Sequence, residues 1–177
     1  MQVTISANGK NIKAEISEEQ AKILGLVEDK PKTGYESLGT GETYYLVDVD
    51  DEITTMKYDS RLDRDCYDVG NYYSDKVIAE NNARADRLLR QLRQWQALND
   101  KPISVEDWNN ESKKKWFIIY SYSSEEMYAE YYYIMRLPNT IYFATKEKAE
   151  EAIKVFEDEL LWYFTEYVQR LDEMQND

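Results

Sequence analysis

The sequence predicts an α+β protein: antiparallel strands with helices on one side, in a body built twice, preceded by a small hairpin–helix module. Three observations predict it. Short aromatic and β-branched runs come in pairs separated by turn residues. Each pair in the main body precedes a long stretch of helical period. A shift of 70 residues carries Tyr72, Tyr73, Lys76, Ala79 and Glu80 onto Tyr142, Phe143, Lys146, Ala149 and Glu150, with the same order of elements around them.

The N-terminal module spans residues 1–27. Val3-Thr4-Ile5 and Ile12-Lys13-Ala14-Glu15-Ile16 flank Asn8-Gly9, a dipeptide suited to the positive φ angles of a type I′ hairpin turn. Ser17-Glu18-Glu19-Gln20 reads as a capping box for a helix that carries Ala21, Ile23 and Leu24 and stops at Gly25. Residues 28–43, with Pro31, Gly34, Gly39 and Gly41, break both periodicities and read as a linker. The duplicated body covers 44–177, with repeats at 44–100 and 115–177. In the first, strands at 44–47 and from Ile53 towards Tyr58 precede a helix over about 75–99. That helix places Val77, Ile78, Ala85, Leu88, Leu89, Leu92 and Trp95 on one face. In the second, strands at 116–122 and 127–135 are followed by Ile141-Tyr142-Phe143 and a last helix. Its stripe runs from Ala149 through Ile153, Phe156 and Leu160 to Leu171 and Met174, which predicts one helix of some 28 residues from a Thr145 cap to the tail.

Composition narrows the function classes. The chain has 177 residues, 35 acidic and 22 basic, no histidine and a formal charge of -13. A 42% hydrophobic content supports a core, so the acidity does not imply disorder. No apolar run is long enough to cross a membrane, and the N-terminus does not read as a secretion signal. Cys66, the sole cysteine, suits a reducing cytoplasm. Without histidine the chain lacks the side chain most used for acid–base chemistry near neutral pH. No phosphate loop, nucleophile elbow or paired-cysteine site occurs. Cys66 lies among Asp63, Asp65 and Asp68, whose charge disfavours a thiolate. The expectation is therefore a protein that binds, with no catalytic residues, metal or cofactor.

Four features are candidates for binding. Residues 48–68 hold eight carboxylates against three cations. Asp48, Asp50, Asp51, Glu52, Asp63 and Asp65 are the acids best suited to mimic phosphate spacing against a basic groove. A Ca²⁺ or Mg²⁺ loop is a weaker reading because the glycine and distal glutamate of an EF-hand are missing, and a solvated acidic turn is the plainest one. The last 31 residues hold ten acids and three bases, with Trp162 off the predicted core stripe as an interface anchor. Tyrosines crowd the second hairpin, and Tyr132 is a second candidate anchor. Against the net charge, Arg84, Arg87, Arg90 and Arg93 recur every third residue of the first long helix. They support an alternative in which the protein binds nucleic acid directly.

Several segments resemble small acidic proteins carried by phages and prophages of Gram-positive bacteria. They are Asp68-Val69-Gly70-Asn71-Tyr72-Tyr73-Ser74 before Lys76-Val77-Ile78-Ala79-Glu80, Trp108 ahead of the strand that opens Lys115-Trp116-Phe117, and Ile141-Tyr142-Phe143 before Lys146-Glu147-Lys148-Ala149-Glu150. The resemblance covers roughly residues 44–164, and the Ile16-Ser17-Glu18-Glu19-Gln20 module is similar to one found in such company. Some proteins of that class are anti-defence factors, including inhibitors of type II CRISPR nucleases. The resemblance thus implies an anti-CRISPR-type inhibitor acting in the host cytoplasm, whose partner is a bacterial defence effector such as a type II CRISPR nuclease with its guide RNA.

Overall fold

A computed structural model of the chain describes residues 2–7, 10–26, 32–59 and 61–174, and these fall into two compact units divided between Thr33 and Gly34. In the first unit, β1 (Gln2–Ala7) pairs antiparallel with β2 (Lys10–Glu15), Gln2 opposite Glu15 and Ala7 opposite Lys10. The Asn8-Gly9 turn lies outside the described residues. Helix α1 (Glu18–Ile23) opens with the predicted capping box. Gln20 N–H donates to Ser17 Oγ at 3.1 Å, and Ser17 N–H donates to Gln20 Oε1 at 3.0 Å. It closes in a Schellman motif on Gly25, at φ 65°. Leu26 N–H reaches Ala21 O, and Gly25 N–H reaches Lys22 O, both at 2.9 Å.

The second unit is an α+β body. Its first half contains β3 (Thr43–Val47) and β4 (Ile53–Lys57), antiparallel with Tyr45 opposite Thr55, then α2 (Arg61–Asp68) and α3 (Lys76–Asn99). Its second half contains α4 (Val105–Trp108), then β5 (Lys115–Ser121) and β6 (Glu126–Tyr132), antiparallel with Trp116 opposite Tyr131. Helices α5 (Lys146–Val155) and α6 (Glu157–Thr165) follow, and a 3-10 turn at Leu171–Glu173 ends the described chain.

The two halves follow one plan. On the free side of β3, Tyr73 and Tyr45 exchange both backbone hydrogen bonds, at 2.8 and 2.9 Å. On the free side of β5, Phe143 and Trp116 do the same, at 2.7 and 3.0 Å. Each bridge leads into a capped helix, by Asp75 in one and Thr145 in the other. One turn on, Lys76 pairs with Glu80 at 3.2 Å and Lys146 with Glu150 at 3.1 Å. Tyr72 Oη accepts from Leu38 N–H at 3.3 Å, and Tyr142 Oη accepts from Leu137 N–H at 2.9 Å.

Helix α3 serves both halves. Its start, with Ile78 and Ala79, packs with Tyr73 in a small core joined by Val168 and Leu171 of the returning tail. Its later turns, Leu88 and Leu92, belong to a larger core with Phe143, Ala149, Ala152 and Leu160. Lys115 is fully buried, and its ammonium is satisfied by the carbonyls of Asn110, at 3.0 Å, and Tyr133.

Four expectations are corrected. Residues 34–42, placed in the linker, are stitched to the body. Gly34 O accepts from Ser74 N–H at 2.8 Å, and Gly34 itself is buried at φ 91° against Ile78. Helix α2 was not foreseen, because five of its eight residues are charged and one of its inward groups is the Asp63 carboxylate. The final helix is not continuous. Phe156, at φ -115° and ψ 24°, divides it, and α6 stops at Thr165 where Glu166 and Tyr167 N–H both reach Trp162 O. The apolar stripe continues through the break, so periodicity alone does not reveal it. Val77 and Met174, expected inside, are exposed.

Candidate functional site

Only some of the candidate contacts meet at α3: Asp51 reaches Arg90 and Trp162 lies under Arg84, while Asp63, Asp65 and Tyr132 belong to α2 and β6. At the β3–β4 turn, Asp48 is spent on local structure: its carboxylate accepts from Asp50 N–H at 2.9 Å, Glu52 N–H at 3.0 Å and Thr54 Oγ1 at 3.2 Å. The Glu52 and Asp50 amides hold its pKa below the ordinary carboxylate value. Asp51, at φ 63°, turns back to the helix, where both its oxygens accept from Arg90, at 2.5 and 2.6 Å. Asp50 and Glu52 remain exposed and make no ion pair among the described residues. Asp65, on α2, is likewise exposed and without an ion pair there.

Asp63 is displaced from the contact set. It is 2% exposed, takes the Tyr44 hydroxyl at 2.6 Å and the Asp59 N–H at 2.8 Å, and anchors α2 to the sheet. A carboxylate so enclosed offers nothing to a partner groove. Burial, followed by the hydrogen bond to Asp63, raises the Tyr44 hydroxyl pKa well above its usual value.

Trp162 is likewise not a surface anchor. It is 8% exposed, covered by the Arg84 guanidinium at 3.9 Å from its ring centre and flanked by Tyr167 at 5.6 Å. The wheel put Trp162 off the α5–α6 stripe, but α3 supplies the cover across the helix pair. Tyr132 is half-buried and stacks on Phe117 at 5.0 Å.

The four arginines divide. Arg84 forks onto Glu159 at 2.9 and 3.0 Å, holding that carboxyl below the usual range, and Arg90 holds Asp51. Arg87 and Arg93 are exposed and make no ion pair among the described residues. The C-terminal acids are also partly engaged. Glu150, Glu151 and Asp172 pair with Lys146, Lys148 and Arg170, while Glu157, Asp158 and Glu166 face solvent without such pairs.

Two of the clefts in this unit bear on binding. A cavity of about 310 Å³ lies between α3, α6, β5 and residues 137–141 and is walled mainly by apolar side chains, Leu88, Leu89, Leu160 and Phe164 among them. A cleft of about 340 Å³ is polar. It is lined by Arg93, Gln96, Arg136, Trp108 and Tyr142, with the Arg136 guanidinium 5.2 Å from the Trp108 ring centre. Sequence reasoning missed both Arg136 and the cleft, because they join the end of α3 to a loop 40 residues on. Among the described residues, no three acidic or cysteine side chains are arranged to hold a metal ion, and no helix is long and apolar enough to cross a membrane. Comparison with protein families, with curated proteins and with solved structures finds no match.

Proposed function

We propose that the protein is a non-enzymatic inhibitor of a bacterial defence nuclease of the anti-CRISPR type, occupying a basic nucleic-acid groove of the effector from within the host cytoplasm. The observation that carries this reading is how charge is spent. Asp50, Glu52 and Asp65 are exposed without ion pairs among the described residues, whereas Arg84 and Arg90 are already neutralised by the chain's own acids. At a net charge of -13, such carboxylates meet a cationic channel with fast, salt-sensitive association. The resemblance to acidic phage proteins supplies the class of partner, for which a type II CRISPR nuclease with its guide RNA is the first to test.

The triple reversal Asp50→Lys, Glu52→Lys and Asp65→Lys touches none of the structural carboxylates. It slows association with the nuclease by more than about tenfold at low salt, and the difference shrinks as ionic strength passes about 0.15 M. A second reading has its own observation, since Arg93 and Arg136 line one polar cleft. If inhibition survives the triple reversal but is lost on Arg87→Glu with Arg93→Glu, direct nucleic-acid binding replaces acidic mimicry.

A further inference from the structure

The two halves of the second unit differ at one pair of equivalent positions. In an antiparallel ladder, every second residue of a strand turns both backbone groups to the same edge. Tyr45 and Trp116 turn theirs to Tyr73 and Phe143, so the next groups facing that edge belong to Val47 in one half and Ile118 in the other. Val47 is satisfied. Its N–H donates to Asn71 Oδ1 and its carbonyl accepts from Asn71 Nδ2, both at 2.8 Å, so one side-chain amide stands in for the missing strand residue. The residue 70 positions on from Asn71 is Ile141, which has no side-chain amide to give. Ile118, and Tyr120 beyond it, therefore present backbone N–H and C=O groups that find no partner among the described residues.

The apolar cavity of about 310 Å³ lies along this edge, between Ile118 and the diverging chain at 137–141, with Leu88, Leu89 and Phe164 along its walls. Unpaired strand groups beside an apolar trough are what β-strand addition requires. The main chain of a guest completes the ladder, and every second side chain enters the trough. Charge selects the guest. A chain of -13 repels a second copy of itself and attracts a cationic segment.

We propose that the β5 edge is a docking site for an extended peptide segment of a partner protein, apolar at alternate positions and basic between them. The site stands independently of whether the partner is a nuclease. It involves none of the acids of the β3–β4 turn, and it adjoins the arginine cleft, with which it shares Thr140 and Ile141.

The test uses the full chain with an acetylated, amidated hexapeptide of alternating lysine and valine, and the matching glutamate–valine peptide as control. Without peptide, the Ile118 and Tyr120 amides exchange with solvent faster than those of Phe117 and Ile119, which face β6. Saturating lysine–valine peptide slows exchange at Ile118 and Tyr120 by at least about tenfold and binds at least about tenfold more tightly than the glutamate–valine peptide. N-methylation of the peptide at alternate residues, which replaces the ladder donors of one edge with methyl groups and leaves the side chains unchanged, abolishes the protection. Leu89→Trp fills the trough and weakens binding. Should that variant misfold, the N-methylated peptide reports on the same contact without altering the protein. The proposal is overturned if the lysine–valine peptide fails to bind, if it binds without protecting Ile118 and Tyr120, or if both peptides bind equally. It is also overturned if protection at these amides grows with protein concentration alone, which would assign the edge to a second copy.

Discussion

In the first half of the body, the bridge Tyr73–Tyr45 is prolonged by the Asn71 amide on Val47. In the second, the bridge Phe143–Trp116 ends, and the chain swings away through Pro138 and Asn139, the latter at φ 57°. A duplicated plan therefore has one sealed edge and one open edge. The cores differ in the opposite sense. The sealed half encloses the smaller cluster around Tyr73, Ile78 and Ala79, whereas the open half contributes Phe143 to the larger one with Leu88, Leu92 and Leu160. The stronger core lies beside the less complete sheet. A half that buries more apolar surface can tolerate an unpaired edge next to a cavity, and the smaller half relies more on its hydrogen bonds.

Breaking the larger core gives the largest expected effect. Phe143 is fully buried, so Phe143→Ala lowers unfolding stability by about 3–5 kcal/mol in urea titration. Tyr73→Ala, at the equivalent bridge in the smaller cluster, costs less. Gly34→Ala comes next. An added Cβ would sit 2.7 Å from Ile78 Cγ1 at a φ of 91°, which combines a steric clash with a left-handed backbone, and about 2–3 kcal/mol is expected from the same titration. Asn71→Ala unseals the first edge. It leaves both Val47 groups unpaired at a cost of about 1–2 kcal/mol, and the Val47 amide then exchanges as fast as that of Ile118.

The smallest effects are in pH. Asp48 and Glu159 have folded-state pKa values below their ordinary values, so what they contribute is present above about pH 4 and is lost as pH falls through the lower folded values. Burial pushes Tyr73 up to about 12. Its contribution is intact below about pH 10 and is lost as pH rises through 12, which an alkaline unfolding titration monitored by tyrosinate absorbance detects.

Much of the architecture was legible in the residues. The Ser17–Gln20 capping box, the start of α3 after Asp75 and of α5 after Thr145, both hairpins of the body and the 70-residue correspondence were all readable from short-range chemistry. The candidate site was less legible. Asp48, Asp51 and Asp63 read as three acids of one exposed run. In the folded chain, one organises a turn, one pairs with a helix 39 residues away, and one is buried beneath a tyrosine. Trp162 was misjudged because a wheel shows where a side chain leaves its own helix and not what another helix lays over it. Asn71 stood within the matching repeat, and its mismatch with Ile141 was the available signal.

The sequence by itself determined the hairpin strands, the starts of the long helices with their caps, the duplicated plan and the excess of negative charge. Each of these depends on residue identity or on neighbours within a turn or a hairpin, where spacing and side-chain chemistry suffice. Only the tertiary structure decided which carboxylates stay free, which arginines are neutralised, and that one sheet edge is closed while its counterpart opens on an apolar cavity. Those outcomes depend on pairings across tens of residues, such as Tyr44 with Asp63 and Arg84 with Glu159, and they are set by how the helices settle on the sheets.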